Sequence, residues 1–186
     1  FKESAGVVAM EAENATVISG WAAVNITKSC GTTMEDRGNK AGSLEFSIKF
    51  NKTGTYILWV RHEKKSVSEG CAADDQCNDC EVFMDNAPLF IYEGSACSGH
   101  AGDVIGFGTH ETQLAWQSRP KTECSADRSG KHVATTIPTI GTHTLKIKSR
   151  SNGYRIDKIV MVHVDNGIEM PTGCGPNETV EGAVAT

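Results

Sequence analysis

An all-β sandwich is predicted by three observations on this 186-residue chain. Apolar and polar residues alternate with period two in segment after segment, no long stretch carries an apolar stripe at helical spacing, and clusters of Gly, Asn, Asp and Pro punctuate the alternating runs. The elements follow in order. Val7 to Glu13 is the first strand. Leu44, Phe46, Ile48 and Phe50 alternate with Glu45, Ser47 and Lys49, and Gly54 separates this run from Tyr56–Arg61, so the two are expected to pair through a turn at residues 51–54. Within Tyr56–Arg61 the side chains of Tyr56, Leu58 and Val60 share one face, read as core, while Trp59 and Arg61 share the other. Val82–Met84 and Leu89–Tyr92 flank a turn-rich Asp85-Asn86-Ala87-Pro88. Gln113–Gln117 is a further strand. Leu145 and Ile147 alternate with Lys146 and Lys148, and Ser151-Asn152-Gly153 turns the chain into Tyr154–Val162, making at least eight strands.

Two segments break the rhythm. Residues 66–80 and 95–112 are long, polar and rich in Gly and Cys, and loops of that length in a compact domain are functional or need a staple. The sandwich is expected over residues 1–170, with a tail or linker thinning to Gly, Pro, Asn, Thr and Ala over 171–186. The chain opens at Phe1, as a processed or excised domain would.

Composition excludes several function classes. Lys and Arg total 18 against 23 Asp and Glu, a net charge of −5, and no basic run is present to neutralise a row of phosphates, so nucleic acid is not an expected partner. No stretch approaches the roughly 18 consecutive apolar residues of a membrane span, so no membrane partner is expected. Seven cysteines suit an oxidising, extracytoplasmic compartment. Their number is odd, and Cys174, near the thinning tail, is the first candidate for a thiol whose partner is missing. Cys77-x-x-Cys80 lacks the second ligand pair that a zinc site needs, and no βαβ pattern of a redox fold surrounds it. The six histidines are scattered without metal spacing, no Gly-x-Ser-x-Gly elbow occurs, and the acids around residues 74–81 read as a solvated loop, so no enzyme activity is expected.

Five short motifs then carry a resemblance that spans nearly the whole chain: Val8-Ala9-Met10-Glu11-Ala12-Glu13, Gly54-Thr55-Tyr56-Ile57-Leu58-Trp59-Val60-Arg61, Phe83-Met84-Asp85-Asn86, Gly141-Thr142-His143-Thr144-Leu145-Lys146-Ile147 and Tyr154-Arg155-Ile156-Asp157-Lys158-Ile159-Val160. In this order they resemble carbohydrate-binding modules of the family 6/35-like, galactose-binding-domain-like group. The resemblance implies a β-sandwich jelly roll, here with long cysteine-bearing loops, that is non-catalytic and secreted beside a polysaccharide-degrading enzyme. It implies a structural Ca²⁺ held by Glu11, Glu13 and Asp157, a ligand chemistry that suits a hard cation; the alternative is that Glu13 and Asp157 pair with Lys158 or Arg155 in the sheet. For the sugar it implies an aromatic face beside polar groups, and the contacts expected here are Trp116, Arg155, Asn152, Trp59, Arg61 and Tyr154.

Two departures from the family pattern stand out. Where a second Trp usually precedes Trp116 by three residues this chain has Gln113, and where the closing motif usually carries a sugar-bonding Asn it has Arg155. A guanidinium reads oxyanions in bidentate fashion, so Arg155, with Arg61 or with Arg119 and Lys121 near Trp116, is expected to select an anionic glycan such as a sulfated galactan of the agar or porphyran kind, or a uronate polymer. The alternative is an ion pair with Asp157 or a neighbouring acid. Two other functions fit the same fold: an extracellular adhesion or receptor ectodomain, which four Asn-x-Thr sequons at Asn14, Asn25, Asn51 and Asn177 would suit, or a polysaccharide lyase or hydrolase.

Overall fold

Leu44, Phe46, Ile48 and Phe50 are fully buried, while Glu45, Ser47 and Lys49 between them are not, so the alternation read from sequence is the alternation of a half-buried strand. The computed structural model describes residues 1–73, 76–92, 106–109, 111–118, 120–121 and 132–180. Its strands are β1 (Val7–Glu11), β2 (Val17–Ser19), β3 (Trp21–Val24), β4 (Thr33–Asp36), β5 (Ser43–Phe50), β6 (Gly54–Lys64), β7 (Cys80–Met84), β8 (Ala87–Pro88), β9 (Phe90–Tyr92), β10 (Gly106–Phe107), β11 (Ala115–Gln117), β12 (Pro120–Lys121), β13 (His132–Ile137), β14 (Gly141–Ser149) and β15 (Tyr154–His163). Three one-turn 3-10 helices, Ala12–Asn14, Val67–Glu69 and Val164–Asn166, are the only helical elements among the described residues.

Two antiparallel sheets face each other. One runs β3-β4-β15-β6-β13-β9, with β1 added on β15 and β11 on β6; the other runs β2-β5-β14-β7-β8. The chain is therefore an all-β sandwich, as expected. The pairing expected between β5 and β6 is corrected. β5 pairs with β2 and β14, β6 with β15, β13 and β11, and residues 51–54 carry the chain from one sheet to the other. The turn after Met84 is half as expected: β7 and β8 form a two-residue hairpin over Asp85 and Asn86, whose φ of 51° and 64° are the positive pair that such a turn requires, but β9 leaves for the opposite sheet.

Tyr56, Leu58 and Val60 lie in the core between the sheets, and Ile57 and Trp59 point the other way, as the alternation requires. That outer face carries a second apolar cluster in which Ala9, Ile57, Trp59, Trp116, Ala134 and Val160 are buried. The register of β15 slips between Ile156 and Lys158, leaving Asp157 as a bulge residue. Tyr154 and Ile156 before it, and Ile159 and Met161 after it, can therefore all face the core.

Cysteines fasten the ends and one loop. Cys71 and Cys77 close the loop between β6 and β7. Cys174 is paired with Cys30, which corrects the expectation that its partner is missing. Cys80 is the free thiol among the described residues, and it is buried. Cys97, Cys124 and Arg119, and most of the 95–112 loop, lie outside the described residues. Beyond β15, residues 171–180 lie along the sandwich: the Thr179 N–H donates to Ala9 O at 2.9 Å and the Glu11 N–H donates to Glu178 Oε1 at 3.0 Å.

A pH-dependent lock ties the β7–β8 turn to β14. His143 is bonded through Nδ1 to Asp85 at 2.5 Å and donates from Nε2 to Thr139 O at 2.9 Å. Burial disfavours the imidazolium, but these two acceptors and the Asp85 charge outweigh it and the His143 pKa is raised. A raised folded-state pKa means that the pair's stabilisation is full below the unfolded His value of about 6.5 and disappears as pH rises through the folded value. His143→Gln should cost about 1 kcal/mol at pH 6, small because Asp85 is half-exposed, and less at pH 9. Urea unfolding at the two pH values checks this, and a loss that grows with pH would refute it.

Candidate functional site

One cleft of about 370 Å³ opens beside the outer face of the eight-stranded sheet. Its walls are the segment after β3 (Asn25–Lys28), Glu63 of β6, Glu69 of the second 3-10 turn, Thr112–Leu114 before β11, and Arg155 of β15. Gln113 and Arg155, the two departures from the family pattern, thus meet in a single cleft. No aromatic side chain lines it among the described residues.

Strand geometry explains Arg155. Tyr154 faces the core, so its neighbour faces outward, and the register sets Arg155 opposite Glu35 of β4 and Glu63 of β6. Its Nε donates to Glu35, Nη1 to Glu63 and Nη2 to Glu69, each at 2.9 Å. Arg155 is only 6% exposed, and three carboxylates surround it. Of the two readings open in sequence, the ion pair with neighbouring acids is the one formed, with these glutamates and not with Asp157. Desolvation would raise the Glu35 pKa, but the Arg155 hydrogen bond and charge, with Arg37 at 3.1 Å, hold it below the usual carboxylate range. Hydrogen bonds from Ser66, opposed by slight burial and joined by Arg155, pull Glu69 down to about 2. Burial dominates at Glu63 and pushes it up despite Arg155.

The other expected contacts fall elsewhere. Tyr154 is corrected: fully buried, it bonds through its hydroxyl to His62 Nδ1 and packs edge-on against Trp21, so it offers no surface to a ligand. Trp116 is 8% exposed and roofed by the chain's end, its Nε1 donating to Gly173 O at 2.9 Å. Gly175, at φ 68°, lies so close that a Cβ there would stand 2.7 Å from the indole. Trp59, in the same outer cluster, packs against His132 with ring centroids 5.3 Å apart. Neither indole presents an open stacking face. Arg61 is buried, ion-paired to Asp157, and donates from Nη2 to Lys28 O at 2.7 Å, which holds the cleft wall in place. Asn152 is exposed and accepts from the Asn39 N–H at 2.8 Å; it does not line the cleft.

The expected metal ligands divide. Glu13 lies in the 3-10 turn and not on the first strand, yet Glu11 and Glu13 still converge on Gly31, where a Cβ would stand 2.6 Å from Glu13 Oε1 and 3.6 Å from Glu11 Oε2. Each has a buried Oε2 without a hydrogen-bond partner, while Glu11 Oε1 accepts from Lys158 at 2.6 Å and Glu13 Oε1 from the Thr32 N–H at 2.7 Å. Two carboxylates that reach the same glycine, each with an orphaned buried oxygen, fit a hard cation. Asp157 does not join them in a three-ligand set among the described residues. Its oxygens are engaged by Arg61, the Cys30 N–H and Thr33 Oγ1.

A Cys80–Tyr154–His62 group in the core was not anticipated. All three side chains are fully buried. Burial pushes the Cys80 thiol up and pulls His62 down to about 3, so the thiol stays protonated and the imidazole neutral, out of a substrate's reach.

No family model matches the sequence. An uncharacterized protein of Formosa agariphila is 25% identical over 146 residues, 76% of this chain and 30% of that protein, so the chain spans under a third of that relative's length. A family 35 carbohydrate-binding module from Clostridium thermocellum superposes with a TM-score of 0.52 at 14% identity, covering 86% of this chain and all of that one. The C-terminal family 6 module of the marine laminarinase LamC from Zobellia galactanivorans gives 0.52 at 13% identity over 84% of this chain and 98% of that one. A family 35-bearing β-(1,4)-mannanase from Podospora anserina gives 0.56 at 17% identity over 86% of this chain and 28% of the other. The chain has the β-sandwich fold of these modules.

Proposed function

We propose that this chain is a non-catalytic carbohydrate-binding module that holds a secreted polysaccharide-degrading enzyme on its glycan by raising the local concentration of substrate. The observation that carries the reading is the cleft itself: on a fold shared with family 6 and family 35 modules, it gathers Gln113 and Arg155, the positions at which the resemblance places sugar contacts. Asn25, Thr27, Thr112 and Gln113 supply amides and hydroxyls to its wall, the donors and acceptors that sugar hydroxyls need. The charged-glycan version expected from Arg155 needs a free guanidinium, whereas all three nitrogens of Arg155 are engaged by carboxylates. The ligand class that fits is a neutral, hydroxyl-rich polysaccharide. Two disulfides suit an oxidising extracellular compartment.

Affinity electrophoresis against neutral, sulfated and uronate polysaccharides tests the reading. Retardation by a neutral polymer is expected, weakened about tenfold in Kd by Gln113→Ala, the scale of one or two lost hydrogen bonds. Unaltered retardation in that variant would place the glycan elsewhere. A Ca²⁺ between Glu11 and Glu13 belongs to the same proposal, as a tie between the first strand and the Gly31 loop. With the ion at a hundredfold its Kd, a chelator should remove about 2–3 kcal/mol of stability, and Glu13→Gln should abolish that response. Melting indifferent to chelation would eliminate the cation.

A further inference from the structure

The three carboxylates on Arg155 are not equivalent. Glu35 and Glu63 lie on the strands flanking β15, with side chains 5% and 3% exposed, and are built into the sheet. Glu69 is 43% exposed and reaches Arg155 Nη2 from a single 3-10 turn at the mouth of the cleft. That turn aims it: Glu69 Oε2 accepts from Ser66 N at 2.9 Å and from Ser66 Oγ at 2.8 Å, a capping box that leaves Oε1 for the guanidinium. A carboxylate or sulfate on a ligand would make the same charge-assisted bond to the same nitrogen.

We infer that Glu69 is a built-in counter-anion that sets the charge selectivity of the cleft, occupying the Arg155 Nη2 position that an acidic substituent would need and so favouring neutral glycans over carboxylated or sulfated ones. The inference rests on the reading of the cleft as a glycan site. Charge balance supports it. Glu35, Glu63 and Glu69 all bond Arg155, so the guanidinium is met by three carboxylates and an incoming anion must displace one of them. Removing the Glu69 charge takes one carboxylate from the guanidinium and frees Nη2 at the exposed side, while Glu35 and Glu63 keep Arg155 in place.

The test is Glu69→Gln, which preserves shape and capping while removing the charge. Inorganic sulfate is titrated into parent and variant while the Arg155 Nε–H resonance is followed by NMR, and the two proteins are then compared on matched neutral and uronate oligosaccharides. The variant should bind sulfate about tenfold more tightly than the parent, the scale of one charge-assisted hydrogen bond, and its ratio of uronate to neutral affinity should rise by a similar factor. Equal sulfate affinity in the two proteins overturns the inference. If sulfate behaves as expected but neither protein retains any oligosaccharide, the counter-anion stands and the glycan reading falls; if glycans bind and sulfate does not distinguish the proteins, the reverse holds. Ser66→Ala, which loosens Glu69 without removing it, should give an intermediate gain and serves if Glu69→Gln does not fold.

Discussion

Replacing Arg155 by Ala should cost about 3 kcal/mol at pH 7, because it strands the buried Glu63 carboxylate and leaves buried Glu35 only its Arg37 partner, not because it removes a favourable pair. Glu35 and Glu63 are 5% and 3% exposed at the side chain, and the guanidinium is the charge each faces across the sheet. Glu69, at the surface, loses a partner but keeps Ser66 and solvent. The pH dependence separates this account from simple loss of packing. Without the cation, the Glu63 pKa, already raised by burial, rises further and the depressed Glu35 pKa moves up, so the variant loses ground relative to the parent as pH rises through these values. In the parent, Glu35 is held low, so its stabilisation is present at neutral pH and is lost as pH falls. Both effects narrow the gap on the acid side. Urea unfolding at pH 5 and 7 should show a smaller loss at pH 5, and adding Glu63→Gln to the Ala variant should recover part of the loss at pH 7. A loss below about 1 kcal/mol, or one independent of pH, contradicts the stranded-carboxylate account.

The same arginine shows what sequence could and could not disclose. Its position in the closing motif, and its outward orientation beside the inward Tyr154, follow from alternation alone. Its partners do not: Glu35 and Glu63 come from strands 120 and 92 residues away, and only the register of β15 on β4 and β6 brings them together. Strands such as β5 and β14 are legible because one face is apolar and the other polar, whereas sheet membership is not. The turn at residues 51–54 signals a change of direction and is silent on whether the next strand pairs or crosses, as β6 does. One further feature was readable. The apolar positions Tyr154, Ile156, Ile159 and Met161 shift parity once, at Asp157, and a single extra residue in an otherwise period-two run is the mark of a bulge. That bulge sets Asp157 against Arg61, and among the described residues it forms no three-ligand set with Glu11 and Glu13. Trp116 carried no local sign of its cover, which arrives from residues 173–175, almost sixty positions later.

That cover is fastened by Cys30–Cys174, and its removal is expected to have the other large effect. The bridge spans a sequence separation of 144, against 6 for Cys71–Cys77. On the chain-entropy model the long closure removes the greater freedom from the unfolded ensemble, so the Cys30→Ala/Cys174→Ala double variant should lose about 5 kcal/mol and the Cys71→Ala/Cys77→Ala variant about 2 kcal/mol, both upper estimates. Trp116 distinguishes a general loss from a local one. With the bridge gone, the Gly173 carbonyl that accepts from its Nε1 is no longer tethered to the sandwich at Cys30, and the indole emission should shift to the red in the native baseline, before global unfolding. The Cys71/Cys77 variant, whose bridge lies in another loop, should show no such shift. Gly175→Ala offers an independent route to the same local state: with the bridge intact, a Cβ at 2.7 Å from the ring in a left-handed conformation should lift the segment from the indole and reproduce the red shift at little cost in global stability. Should the two disulfide variants prove equally stable, with identical emission, residues 171–180 contribute nothing to the sandwich and Trp116 is held by its sheet neighbours alone.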